Sequence, residues 1–217
     1  LISLDNIHMI TQTAIDYPPK HQGEMLKAKG VIKSYVIKPK IHILTSFFYP
    51  KIKPKKRAVL YPPVIREDIL KLEPTIEDHI IVYQTSKESV KLVEQLKSLN
   101  EKFIVYGFNE DEFYNDLASA KAVICNGGFT FISEAISLKK PIYSVPAIGN
   151  FEQTLNGFYV QKLGYGEYHE KMSPQKVEKF LKRLSKYQKK LAKVKKTNND
   201  GIVNELIYRI EKYSKKS

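Results

Sequence analysis

Between Asp78 and Gly166, short apolar runs rich in Ile, Val, Tyr and Phe alternate with longer amphipathic runs that carry the charge. HIIVYQTS (79–86), KFIVYGF (102–108), AVICN (122–126) and PIYSVPA (141–147) have the composition of buried strands. The intervening KESVKLVEQLKSLN (87–100), with Val90, Leu92, Val93, Leu96 and Leu99 on one stripe, predicts a helix, as do EFYNDLASA (112–120) and FTFISEAISL (129–138). FEQTLNGFYVQKLG (151–164) predicts a further helix closed by Gly164 in the C-cap position. Each helix must bury its stripe against the strands it connects, so the pattern predicts an α/β, Rossmann-like parallel sheet with helices on both faces. Ligands of such sheets bind beyond the carboxyl ends of the strands. The turns after Ser86, Gly107, Asn126 and Ala147 are therefore the places to search.

The flanks read differently. ISLDN (2–6) and IHILTSFF (41–48) predict strands separated by a partly helical stretch, and KIKPKKRAVLYPPVIRED (51–68) is rich in Lys and Pro. Adjacent Pro62 and Pro63 favour extended linker backbone. Residues 1–60 thus predict the closing part of an N-terminal α/β domain, residues 61–172 the main domain, and residues 173–217 a set of C-terminal helices. Ser173-Pro174 has the chemistry of a helix start, with helix expected to about Lys196, a break at TNNDG (197–201), and a last helix with Ile202, Leu206, Ile207 and Ile210 on one side. The chain opens at Leu1 rather than Met, which suggests a trimmed or partial chain.

Charge narrows the class of partner. The 36 Lys+Arg against 23 Asp+Glu give a formal +13, a field that favours nucleotides, phospholipid surfaces or nucleic acid. Much of the excess lies in KRLSKYQKKLAKVKK (182–196), which a solvated helix face explains without a ligand; attraction to a membrane surface and nucleic-acid binding are the alternatives. The basic runs lack the interleaved aromatics of a nucleic-acid binder. Cys125, the single cysteine, excludes an intrachain disulfide and fits a reducing, cytoplasmic compartment; within AVICN it reads as a small buried hydrophobe. No apolar run is long enough to predict a transmembrane helix.

The chemistry concentrates in ICNGGFTFISEAISLKKPIYSVPAIGNFEQTLNGFYVQKLGYG (124–166). A strand ends at Asn126, Gly127 and Gly128 follow, and a helix begins near Thr130. Backbone without Cβ approaches a phosphate closely, and a helix start attracts its charge, so pyrophosphate binding is one physical expectation and tight packing the other. The segment resembles the donor-binding signature of GT-B glycosyltransferases, especially family 28 and the UDP-glucuronosyltransferases. The shared elements are Gly127-Gly128, Thr130, Glu134-Ala135, Pro141 with Pro146, and Glu152-Gln153 followed by Asn156. The opening SLDN, TSFF and PPVIR segments are similar to an archaeal and bacterial group of the same fold.

This resemblance implies that Gly127 and Gly128 sit at the donor diphosphate, Thr130 lends a hydroxyl, Glu134 accepts from the ribose hydroxyls, and Glu152 and Gln153 address the sugar. Ser86 would touch phosphate, with helix capping as its alternative, and Phe108 would lie where the base is gripped. Solvated helix Glu and N-terminal cap are the structural alternatives for Glu134 and for the Glu152-Gln153 pair. Asn126 departs from relatives that carry His or Arg there, so a cation toward the phosphate is missing. The implied activity is transfer of a sugar from a nucleotide diphosphate, UDP above all, to an acceptor hydroxyl, inverting and metal-independent. No cofactor is expected, since the nucleotide-sugar is the substrate. The acceptor is unassigned, a lipid-linked one with peripheral membrane contact being the expectation; no catalytic base is assigned. His8, His21, His42, His79 and His169 show no metal-ligand spacing. A sugar-nucleotide epimerase, or a non-catalytic nucleotide-sugar or nucleic-acid binding subunit, is the alternative function.

Overall fold

The computed structural model describes residues 1–35, 39–83, 94, 96–106 and 112–214. Contacts divide the chain into two compact units, residues 1–65 with 197–217, and residues 66–196.

The first unit holds a parallel three-stranded sheet in the order β1 (Ile2–Asp5), β2 (Ile41–Thr45), β3 (Ala58–Tyr61). The short α1 (Met9–Gln12) and the longer α2 (Gln22–Tyr35) lie between β1 and β2. Strand β3 was hidden in the sequence, where AVLY looked like part of a Pro- and Lys-rich linker. Its four residues nonetheless have strand composition and pair along β2 from Ala58 to Tyr61. The last helix, α9 (Asp200–Ser214), belongs to this unit. Asn199 joins it to the end of the β3 segment by accepting from the Ile65 amide (3.0 Å) and donating to the Ile65 carbonyl (2.8 Å), and Tyr61 donates to Glu205 (3.0 Å). The boundary accordingly falls between Ile65 and Arg66 rather than near Pro62, and the C-terminal helices divide between the units after Lys196. Of the expected apolar stripe on α9, Ile202 is buried, whereas Ile207 and Ile210 are about half exposed.

The second unit is built on a five-stranded parallel sheet in the order β5 (Phe103–Tyr106), β4 (Ile80–Tyr83), β6 (Ala122–Cys125), β7 (Ile142–Ser144), β8 (Gly166–Tyr168). The three-residue β8 carries too little pattern to be read in advance. Alternate residues face opposite ways, as the pleat requires. On one face Ile80, Val82, Ala122, Ile124 and Tyr143 pack with Leu96 and with Val177, Phe180 and Tyr187 from α7 (Pro174–Leu181) and α8 (Leu184–Leu191). The single tail helix expected from Ser173 to Lys196 is thus two, interrupted where Arg183 leaves helical backbone (φ −114°, ψ 9°); nothing in the local sequence demands the break. The remaining helices of the unit are α3 (Glu67–Lys71), α4 (Phe113–Ser119), α5 (Phe129–Ser137) and α6 (Phe151–Leu163). Gly164 closes α6 in left-handed backbone (φ 75°). Of the stripe expected on 87–100, Leu96 is buried and Leu99 packs against the core; Val90, Leu92 and Val93 lie outside the described residues. Among the described residues, no helix is long and apolar enough to cross a membrane.

Lys140, only 2% exposed, donates to the Thr75 carbonyl (2.6 Å) just before β7. Burial disfavours its charged form and lowers its pKa to about 8. A cation whose folded pKa is depressed destabilises the native state below that pKa, and the penalty fades as pH rises toward the ordinary lysine value. Lys140→Met should therefore stabilise the fold by about 1–2 kcal/mol at pH 7, a penalty of roughly 3 kcal/mol removed and one hydrogen bond lost. The gain should shrink by pH 10 in paired urea melts.

Candidate functional site

In the second sheet the chain moves outward from β4 to β5, then returns to place β6 on the other side of β4. That reversal makes the carboxyl ends of β4 and β6 the topological switch point, where open α/β sheets leave a crevice. A cavity of about 230 Å³ lies there, lined by Tyr83 from the end of β4, Asn126 and Gly128 after β6, Thr130 and Glu134 of α5, Gln153 of α6, and Arg66 before α3. Its volume is below the roughly 300–1,000 Å³ of a complete small-molecule pocket, so it accommodates part of a nucleotide.

The start of α5 faces this cavity. Gly128 is its N-cap in extended backbone (φ −61°, ψ 132°) and offers no capping side chain of its own, and the first turn contains no acidic residue. No carboxylate of that turn therefore offsets the positive end of the helix dipole. The two glycines differ in kind. Gly127 has φ +88°, and a Cβ there would meet the Gln153 carbonyl at 2.7 Å and Ser144 Oγ at 3.1 Å. Asn156 donates to its carbonyl (3.0 Å), so Gly127 lets the β6 turn lie against α6. Gly128 has open space, its nearest neighbour being Asn126 Oδ1 at 3.7 Å.

Glu134 is 1% exposed, and both its carboxylate oxygens are engaged by Arg66: Nε donates to Oε1 (2.6 Å) and a terminal amine to Oε2 (2.9 Å). The Arg66 side chain is 50% exposed and also donates to Tyr114 Oη (2.7 Å), with its guanidinium over the Tyr114 ring at 5.1 Å. The hydrogen bond to Glu134 raises the Arg66 pKa still further. Arg66 is thus a cation lining the cavity from a position other than 126. In sequence it closed PPVIR and read as linker, and its partner stands 68 positions away. Beside it Tyr83 stacks on Phe131 (4.6 Å, 12°).

Thr130 is exposed at the rim. Gln153 Oε1 accepts from the Ala147 amide (2.9 Å), and its own amide donates to Asn150, the true cap of α6 (3.1 Å). Glu152 is half-buried on the same turn but does not line the cavity. Ser86 and Phe108 lie outside the described residues. Burial pushes the Cys125 thiol up to about 12, which suits an inert core residue.

A second grouping appears in the first unit. His8, at the start of α1, has Nδ1 2.9 Å from both oxygens of Asp5 at the end of β1, and its amide donates to Oδ1 (2.9 Å). The β1–β2 register sets Ser3 opposite His42, which brings the His42 ring to 4.5 Å from that of His8. Histidines scattered in sequence are therefore gathered in space, and Asp5, His8 and His42 present ligand atoms within 4.8 Å of one another, a grouping able to hold a metal ion. His42 Nδ1 is buried without a hydrogen-bond partner among the described residues. Burial first, then the nearby His8, lowers the His42 pKa, which favours neutral imidazole.

Known proteins share this architecture. The plant enzyme described as Phytolacca americana UGT2 complexed with UDP-2fluoro-glucose and pterostilbene superposes with a TM-score of 0.59 at 12% identity, over 87% of this chain and 57% of that one. Spinosyn forosaminyltransferase SpnP gives 0.55 at 11% identity, over 89% and 64%. These likenesses identify the fold as that of GT-B glycosyltransferases, with parallel sheets flanked by helices. A curated Bacillus cereus protein, UDP-N-acetylglucosamine–N-acetylmuramyl-(pentapeptide) pyrophosphoryl-undecaprenol N-acetylglucosamine transferase 3, is 31% identical over 111 residues, 47% of this chain and 31% of that protein. The chain thus spans less than two thirds of each of these relatives. The model of glycosyl transferase family 1 matches residues 1–112 and 108–185, most of the sequence, and the chain belongs to that family.

Proposed function

We propose that the protein transfers a sugar from a nucleoside diphosphate, with UDP as the carrier, to an acceptor hydroxyl, inverting the anomeric centre without a bound metal. The observation that carries this reading is the start of α5 at the switch point, with no acidic residue in its first turn, faced by Arg66 and backed by the buried carboxylate of Glu134. Two neighbours support the choice of carrier: the Phytolacca structure holds UDP-2fluoro-glucose, and LpCGTa, with a TM-score of 0.53 at 12% identity, is described in complex with UDP.

The diphosphate would lie against the amides from Gly128 onward, with Arg66 neutralising its charge. As the bond from anomeric carbon to phosphate oxygen breaks, its electron pair goes to the diphosphate, and the preorganised helix and guanidinium stabilise the charge that develops. Glu134 has two acceptor sites beyond those Arg66 uses, and these would take the ribose hydroxyls. Gln153 would face the sugar from α6, with Thr130 at the rim. The acceptor oxygen bonds to the anomeric carbon from the opposite side and gives up its proton. That proton passes to a general base.

The name of the Bacillus relative specifies a pyrophosphoryl-undecaprenol acceptor, which supports a lipid-linked acceptor and peripheral contact with an anionic membrane surface here. Equal co-sedimentation with neutral and anionic vesicles would argue against that contact. The test of transfer is release of UDP from a panel of UDP-sugars supplied with lipid and sugar acceptors, with the product anomer read by NMR. Failure to release nucleotide from any donor would overturn the scheme.

A further inference from the structure

We infer that the first unit carries a phosphate-binding basin beside His8, built from Lys29 and Lys33 of α2 together with Lys53 and Lys56 of the loop before β3. This goes beyond the proposed function by giving the first unit a ligand class of its own, a phosphate-bearing compound. The four lysines, His8 and His42 line one cavity of about 560 Å³, within the size range of small-molecule sites. Its lining contains no carboxylate.

None of the four lysines has a carboxylate partner among the described residues, and what sets them apart is that they crowd a single cavity. Lys53 donates to the Thr11 carbonyl (3.3 Å), and its pKa is lowered by burial and then by Lys29 and Lys56. Lys29 and Lys33 stand four apart on α2, a like-charge spacing that weakens a helix. Such crowding destabilises the protein alone and is relieved by a polyanion. Ammonium groups at the ends of flexible stems suit the several oxygens of a phosphate, where a flat carboxylate would favour an arginine fork. Buried Ile32, with Pro39, gives the basin an apolar wall.

The test is calorimetric titration of the full chain with inorganic pyrophosphate in the presence of saturating UDP, so that the donor cavity is already filled. Binding should persist under UDP. It should weaken at least about tenfold in Lys53→Gln/Lys56→Gln and in Lys29→Gln/Lys33→Gln, with unchanged or higher melting temperatures, and should be unaffected by Lys186→Gln on α8. Titration with a glycosyl 1-phosphate and flotation with neutral vesicles doped with a polyprenyl phosphate then separate a soluble from a lipid-borne source. Binding in either arm that falls with the lysine substitutions supports the basin. Pyrophosphate heat that vanishes under UDP, that ignores the four lysines, or that is matched by neither phosphate carrier would overturn it. A chain that binds pyrophosphate through these lysines but ignores UDP would instead count against the donor assignment and leave the basin standing.

Discussion

Replacing Glu134 with glutamine is expected to weaken UDP binding by about 10–100-fold, the value of one or two charge-assisted hydrogen bonds. The carboxylate holds the Arg66 fork, and in the proposed scheme it also takes the ribose hydroxyls. An amide offers one acceptor oxygen in place of two and sets an N–H against the guanidinium, so Arg66 loses its fixed orientation toward the diphosphate. The cost to folding should be smaller, about 1–2 kcal/mol, because Arg66 is half exposed and recovers hydration. A structural ion pair alone would produce the stability change without the ligand effect. Comparison with 2′-deoxy-UDP separates the two roles: the natural protein should prefer the ribonucleotide, and Glu134→Gln should bind both nucleotides nearly equally. Calorimetry on both proteins with both nucleotides reads this directly.

Gly127→Ala should be among the most damaging single changes at the site, at about 2–4 kcal/mol of stability. Left-handed backbone costs an alanine roughly 1–2 kcal/mol, and overpacking against the main chain of α6 adds a similar amount. The added carbon would stand 2.7 Å from the Gln153 carbonyl, so the turn after β6 and the start of α6 must separate. UDP affinity should fall with the fold. Gly128→Ala is the informative counterpart. Its backbone suits alanine and the nearest atom is 3.7 Å away, so thermal melts should shift by little, about 0.5 kcal/mol or less. If phosphate approaches the helix start, the same methyl group should weaken UDP about tenfold or more. Loss of affinity without loss of stability at Gly128, and loss of both at Gly127, would divide the glycine pair into one that packs and one that binds.

The alternation of strand and helix was legible in the second unit because each central strand is buried on both faces. Ile80, Ile81, Val82, Val123 and Ile124 had to be apolar without interruption. The Gly-Gly turn and Glu134 were legible for a related reason, since a tight strand-to-helix turn has few chemical solutions. Strand β3 and Arg66 were not legible, because the Lys and Pro around AVLY and PPVIR masked a short pairing segment and a cation that lines the cavity. The carboxylate that gives Arg66 its meaning is brought near only by the packing of α3 against α5. Asp5 and His8 are three residues apart and visible as neighbours, whereas His42 joins them through strand register alone. The basin lysines come from two segments, one read only as partly helical and the other as a Lys- and Pro-rich linker. Charge counts do not say where charges converge.

The central claim is that an anionic nucleotide binds where β6 gives way to α5. Isothermal titration of the chain with UDP tests it most directly: the account predicts saturable one-site binding that Arg66→Ala weakens at least about tenfold. Heats indistinguishable from buffer with UDP and with every other nucleoside diphosphate, or binding that Arg66→Ala and Glu134→Gln leave untouched, would contradict it.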